Sequence, residues 1–186
     1  MKASHTPRSL QLTVLLRSDG NAVACGSNDS GQCDVLPLDQ GMMYSQVSAG
    51  KLHTVLLRSD GCALANGKNM HGQCDIPQLH EGMLYSQIAA GGLHTVLIQS
   101  GGCAMLCCGF RNEYSRTMQH STLGCIGVSY IQVSAGWKHT VLLRSDGIAV
   151  ACGLAAATYT RNATCRLWSL EFATPEISFR ILGTSF

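Results

Sequence analysis

Apolar residues in this chain come in short runs punctuated by glycine. Thr54-Val55-Leu56-Leu57-Arg58 is rich in strand-forming side chains, Asp60-Gly61 follows almost at once, and Cys62-Ala63-Leu64-Ala65 returns after it. Two such runs around a turn dipeptide read as a β-hairpin, with Asp60-Gly61 supplying the positive-φ residues of a tight turn. Residues 26–40 are dense in Asn, Asp, Ser, Gly and Pro and read as a surface loop. Ala22, Ala24, Ala63 and Ala65 are small enough for close sheet packing, while Gly26 and Gly67 stand where a strand ends and the backbone must turn sharply. No segment sustains a 3.6-residue apolar period, so the pattern predicts an all-β fold.

The pattern also repeats. The phrase Thr13-Val14-Leu15-Leu16-Arg17-Ser18-Asp19-Gly20 recurs with its closing glycine at Gly61, Gly102 and Gly147, at spacings of 41, 41 and 45 residues. A second phrase, Tyr44-Ser45-Gln46-Val47-Ser48-Ala49-Gly50, returns with its glycine at Gly91 and Gly136, at the same steps of 41 and 45. A third, Gly31-Gln32-Cys33-Asp34, recurs once as Gly72-Gln73-Cys74-Asp75. One repeat domain over 1–186 follows, with units at 1–43, 44–84, 85–129 and 130–186, the last degenerate. Units of this length holding several strands each are what propeller blades require, because a small twisted sheet must bury its faces against its neighbours. The expected architecture is β-propeller-type repeats with about four blades, either a closed small ring or a partial arc of a larger propeller. A two-sheet sandwich would need no such register.

These phrases resemble the regulator of chromosome condensation repeat family, whose units carry a Gly-x-x-His-Thr element, an Asp-Gly hairpin and a Gly-Gln-Leu-Gly turn. The first element stands here as Gly50-Lys51-Leu52-His53-Thr54, Gly91-Gly92-Leu93-His94-Thr95 and Gly136-Trp137-Lys138-His139-Thr140. The resemblance covers about residues 12–153. It departs from the family in its shorter period, in Cys-Asp where the turn has Leu-Gly, and in units three and four, which lose that turn. The family's propeller has seven blades. The resemblance implies a regulatory module acting in guanine-nucleotide exchange on a small GTPase, contact with chromatin, or a propeller region of a HECT-type ubiquitin ligase.

Charge narrows the partners. Only 13% of residues are charged and the formal net charge is +2, with no Lys/Arg cluster to supply the phosphate contacts on which nucleic-acid affinity rests. Direct nucleic-acid binding is therefore not expected. No apolar run approaches the roughly 18 residues that span a bilayer, and Arg8, Gln11 and Arg17 interrupt the N-terminal stretch where a signal peptide would be apolar. The expectation is a cytoplasmic or nuclear protein without a membrane partner. In that setting the ten cysteines read as reduced thiols packed as small hydrophobes. Cys25, Cys108 and Cys152 are assigned to one repeat position, Cys33 and Cys74 to another.

The chemistry-bearing side chains read as structural. His53, His94 and His139 recur at equivalent points of successive units, which places them too far apart to share one ion. Gly20, Gly61, Gly102, Gly147, Gly50, Gly91, Gly136, Gln32 and Gln73 complete the set of structural repeat positions. Asp19, Asp60 and Asp146 belong to hairpin turns, leaving no acid/base pair. The sequence thus predicts no enzyme, no cofactor and no metal. It predicts a protein-binding scaffold whose variable loops, 27–30, 68–71, 110–123 and 154–164, meet a protein partner. An inactive fragment is the competing reading. The stretch 177–183 alternates apolar residues and ends in glycine, so it is expected to pair with the strand around Leu12 and close a ring of four.

Overall fold

Four short antiparallel sheets follow one another along the chain. A computed structural model describes residues 11–107, 121–123, 129–153 and 168–170. The first sheet pairs β1 (Thr13–Leu16) with β2 (Ala22–Cys25), and the second runs β3 (Tyr44–Ala49), β4 (His53–Arg58), β5 (Ala63–Gly67). The third runs β6 (Tyr85–Ala90), β7 (Thr95–Gln99), β8 (Ala104–Cys107), β9 (Ser121–Leu123). The fourth runs β10 (Tyr130–Ala135), β11 (His139–Arg144), β12 (Ala149–Gly153), β13 (Trp168–Leu170). Every strand in a sheet pairs with its neighbour in sequence, which is the meander of a propeller blade. Among the described residues there is no helix, and so none long and apolar enough to cross a membrane.

The sheets stack through their faces. Val55, Leu57 and Ala63 of the second sheet pack on Ile88, Ala90 and Leu97 of the third. Val96, Ile98 and Ala104 of the third pack on Val133 and Leu142 of the fourth. The inner residues of β4 and β7 are consequently buried on both faces, whereas β11 alternates between exposed and buried positions. Backbone links between units follow one rule. Tyr44 N donates to Gly20 O at 2.7 Å, Tyr85 N to Gly61 O at 2.9 Å and Tyr130 N to Gly102 O at 2.8 Å, so each hairpin turn holds the opening strand of the next sheet.

The hairpin turn itself differs from the expected two-residue form. Gly61 N donates to Arg58 O at 3.0 Å and Arg58 N to Cys62 O at 2.9 Å, which makes a three-residue loop over 59–61. Gly61 has φ +80°, and no non-glycine residue among those described has positive φ, so Asp60 does not share that role. The arrangement is a type I turn closed by a glycine bulge. Asp60 is there for its carboxylate, which accepts from Cys62 N at 3.1 Å and pairs with Arg58 at 2.7 Å. Asp19 with Arg17 and Asp146 with Arg144 repeat the device at 2.9 and 2.6 Å.

Two readings of the cysteines change. The strand registers place Cys25, Cys107 and Cys152 opposite the repeated threonines Thr13, Thr95 and Thr140, so Cys107 takes the position assigned to Cys108. Cys25, Cys33, Cys62 and Cys74 carry free thiols, but Cys103 is disulfide-bonded and departs from the expectation of reduced thiols. Cys108, the loop 154–164, most of the loop 110–123 and the expected closing strand 177–183 lie outside the described residues.

Candidate interaction surfaces

The repeated histidines form the joints between sheets. His53 opens β4, and its Nε2 lies 3.0 Å from Thr95 Oγ1 on β7 of the next sheet. Thr95 has a single hydroxyl proton and donates it to Gln73 O at 2.7 Å, so His53 carries its own proton on Nε2. Nδ1 is left without a proton and without a partner. His94 repeats the joint on Thr140 Oγ1 at 2.9 Å, and its Nδ1 is likewise unpaired. Burial, reinforced by the neighbouring His94, pushes His53 down to about 4, and burial lowers His94 as well. Both rings are therefore neutral near pH 7, with Nε2 committed to threonine.

Glycine makes room for each ring. A Cβ on Gly50 would overlap the His53 ring and sit 2.6 Å from Gly91 O, and one on Gly91 would meet the His94 ring and lie 2.7 Å from Gly136 O. His139 occupies the same position on β11 but is exposed. In the first unit Leu12 stands where the others have histidine, and it is buried.

Glutamines from the opening strands clamp the following sheet. Gln46 Oε1 accepts from Ile88 N at 2.9 Å, and Gln87 Oε1 accepts from Val133 N at 3.2 Å while its Nε2 donates to Ile131 O at 2.6 Å. Ser48 Oγ adds a bond from Ala90 N at 2.8 Å. Gln46 and Gln87, with Gln132 and Ser86, line an open groove of about 400 Å³ where β3, β6 and β10 lie side by side. The groove is polar because its glutamines hold backbone groups that no strand of the neighbouring sheet reaches.

The loops after β2 and β5 have one frame. Asn28 accepts from Cys33 N at 2.7 Å and donates to Asp34 at 2.7 Å, and Asn69 does the same with Cys74 N at 2.9 Å and Asp75 at 2.7 Å. Gln32 and Gln73 are buried, each accepting a loop amide at 2.9 Å, from Ser30 and His71. Their backbone carbonyls take the hydroxyls of Thr54 and Thr95 at 2.6 and 2.7 Å, which pins each loop to the following sheet. Cys33 and Cys74 donate to Ser27 O and Lys68 O at 3.4 and 3.5 Å. Burial raises both thiols, Cys74 to about 11, so they stay protonated and unreactive. On this frame only the tips differ: Ser27, Asp29 and Ser30 in one loop, Lys68, Met70 and His71 in the other.

The structure thus brings Gln32, Gln73, His53, His94, Gly50 and Gly91 into the sheet junctions and puts Gly20, Gly61, Gly102 and Gly147 in hairpin turns. Sequence reasoning missed the threonines that receive the imidazoles, although a Thr follows every repeated His. It also missed Gln46 and Gln87, whose signal was their recurrence inside the Tyr-Ser-Gln phrase. Among the described residues no three or more His, Cys, Asp or Glu side chains gather as metal ligands would.

Stacked antiparallel meanders joined by equivalent residues define a β-propeller-type repeat protein. The chain carries regulator of chromosome condensation (RCC1) repeats, matched at residues 44–73 and 130–155. Among solved structures it is similar to human WBSCR16, at 22% identity and a TM-score of 0.68, over 88% of this chain and 52% of that one. Prp20p from Saccharomyces cerevisiae, whose binding properties to Gsp1p and histones were described with its crystal structure, matches at 18% identity and TM-score 0.63, over 77% and 43%. The CRINKLY WD40 ectodomain of the Arabidopsis thaliana receptor kinase ACR4 matches at 17% and 0.59, over 78% and 53%. The chain spans about half the length of these proteins. No curated protein sequence matches it.

Proposed function

We propose that the protein is a non-enzymatic scaffold that binds a protein partner through the loops after the second strand of the first sheet and the third strand of the second. The observation that carries this is the repetition of one hydrogen-bonded frame with different tips. Asn28 and Asn69, Gln32 and Gln73, and Asp34 and Asp75 hold equivalent bonds, while Asp29 in one loop gives way to Met70 in the other, 61% exposed. A rigid frame with variable tips is how repeat proteins combine low ordering cost with specificity. The histidines and the Cys33 and Cys74 thiols support the non-enzymatic part, because burial keeps the imidazoles neutral and bonded and the thiols protonated.

Small GTPases and histones are the partner classes to try first, because Prp20p is known by its binding to Gsp1p and histones. The free thiols of Cys25, Cys33, Cys62 and Cys74 suit a cytoplasmic or nuclear setting. The experiment exchanges residues 27–30 with 68–71 in the full chain and compares binding to purified Gsp1p, histones and other small GTPases. A changed preference is expected. A partner set that the exchange leaves untouched would overturn the loop reading.

A further inference from the structure

The two edges of the sheets where strands turn back carry charge differently. At the hairpin edge, Arg17, Arg58 and Arg144 are each paired with the aspartate two residues on, at 2.9, 2.7 and 2.6 Å. At the opposite edge lie the turns 50–52, 91–93 and 136–138 and the start of the loop after β5, because His53, which opens β4, pairs with Gly67, which closes β5. The described lysines, Lys51, Lys68 and Lys138, are all at this second edge, and none belongs to an ion pair among the described residues. Lys68 N donates to Leu52 O at 2.8 Å, which sets Lys68 beside the Lys51 turn. The aspartates of the neighbouring loops are engaged within them: Asp34 and Asp75 accept from Asn28 and Asn69, and Asp29 from Ser27.

Lys51 has an aromatic partner instead. Its Nζ stands 4.3 Å from the centroid of the Trp137 ring, although Lys51 lies in the second sheet's turn and Trp137 in the fourth's. Gly92 makes that reach possible. It takes in the third sheet the place that Lys51 and Trp137 take in theirs, and a Cβ on it would lie 2.5 Å from Trp137 O and 3.1 Å from Trp137 Cδ2. The indole therefore lies across a turn without a side chain, with the ammonium over its ring and 51% of the residue still exposed. A tryptophan held in place yet half open to water is the residue type that anchors protein interfaces, since it supplies large contact area at small ordering cost. We propose that Lys51, Lys68 and Trp137 dock an acidic segment of a partner protein, its carboxylates meeting the two ammoniums and an apolar side chain between them lying on the indole. Charge complementarity selects this occupant, because the lysines at this edge have no carboxylate of their own. Nucleic acid would need a longer track of phosphate contacts than these few lysines supply. The inference rests in part on the loop reading, since Lys68 begins one of those loops, and adds Lys51 and Trp137, which that reading does not use.

The test is fluorescence polarisation of a fluorescein-labelled Glu-Glu-Leu-Glu-Glu peptide titrated with the full chain, as wild type, Lys51→Gln, Trp137→Ala and Trp137→Phe. The wild type is expected to bind with a Kd of about 100 μM or tighter. Lys51→Gln should weaken binding about fivefold, and Trp137→Ala about tenfold or more, while Trp137→Phe keeps most of the affinity. Raising NaCl from about 50 to about 300 mM should also weaken it, because screening shortens the reach of exposed charges. Lys51 is exposed, so its variant reads the site without disturbing the turn that Trp137 covers. No binding by the wild type at about 1 mM, equal binding of Lys-Lys-Leu-Lys-Lys, tighter binding of a labelled oligothymidine, or an unchanged affinity in Lys51→Gln or Trp137→Ala would overturn the proposal. The loop exchange leaves Lys51 and Trp137 in place, so the two outcomes separate. A changed partner preference there with no peptide binding here removes this inference alone, and peptide binding here with an unmoved partner set there removes the loop reading alone.

Discussion

His53 and Thr95 are 42 residues apart in the chain and 3.0 Å apart in the fold, joined by a bond in which the imidazole is the donor. Thr95 passes its own proton to Gln73 O, so one hydroxyl ties together a strand, the strand ahead of it and the loop between them. Thr95→Val keeps the shape and removes both bonds, leaving a buried N–H and a buried carbonyl unpaired. The expected loss is on the order of 1–3 kcal/mol. Urea unfolding should show a lower midpoint at an unchanged slope.

Acid should loosen the same joint. His53 ordinarily titrates at 6.5 and is held at about 4 by burial. Between those values the unfolded chain binds a proton that the folded chain refuses, so stability is fully present above pH 6.5 and is lost as pH falls toward 4. The change for His53 is on the order of 3 kcal/mol, of which about 2 is gone by pH 5. His94, lowered for the same reason, acts in the same direction. Unfolding midpoints at pH 7.5, 6 and 5 should fall together, and His53→Gln should remove most of the slope above pH 5.

Gly50→Ala should be among the most damaging single changes. The added methyl would overlap the His53 ring on one side and approach Gly91 O of the next sheet to 2.6 Å on the other, with backbone that cannot yield. A loss of about 3 kcal/mol or more is expected, in the upper range for point substitutions. Thermal unfolding of the purified variant measures it.

The third hairpin invites the opposite result. Gly101 takes the place of Asp60 in the turn, has open space around its Cα and is not in the positive-φ region. Gly101→Asp should restore the carboxylate that caps the other turns and narrow the unfolded ensemble. A gain of about 0.5–1 kcal/mol follows. No change, or a loss, in the urea midpoint would count against the turn geometry described here.

Features that depend on nearest neighbours in sequence could be read before the fold was known. The glycines that end each phrase, the strands before them and the 41-residue beat all reflect local turn chemistry and β propensity, and the sheets begin and turn where those signals lie. The turn type was harder, because Asp60 looks like a positive-φ residue until its bonds to Arg58 and Cys62 are seen. The register at Cys107 was ambiguous by one place, because Cys108 follows directly and composition cannot separate them. The His53–Thr95 and His94–Thr140 joints were hidden for a different reason: their partners become neighbours only when sheets stack. Gln32 looked like part of a solvated loop, yet it is 1% exposed, because the loop's polar content is spent on its own frame. What the tips recognise has no counterpart in periodicity, since they are where the periodicity stops.

Because both histidine joints run in one direction, from an imidazole on one sheet to a hydroxyl on the next, the chain resembles a row of couplings rather than a knot. The inner residues of β4 and β7, covered on both faces, can be reached by solvent only after a neighbouring sheet has swung away, whereas β1 and β11 each have a face already open. Amide exchange should therefore be slowest in the middle of the chain and quicken toward either end of the stack. Under tension the sheets would come off singly from the outside inward, giving way in a sequence of small steps instead of one rupture.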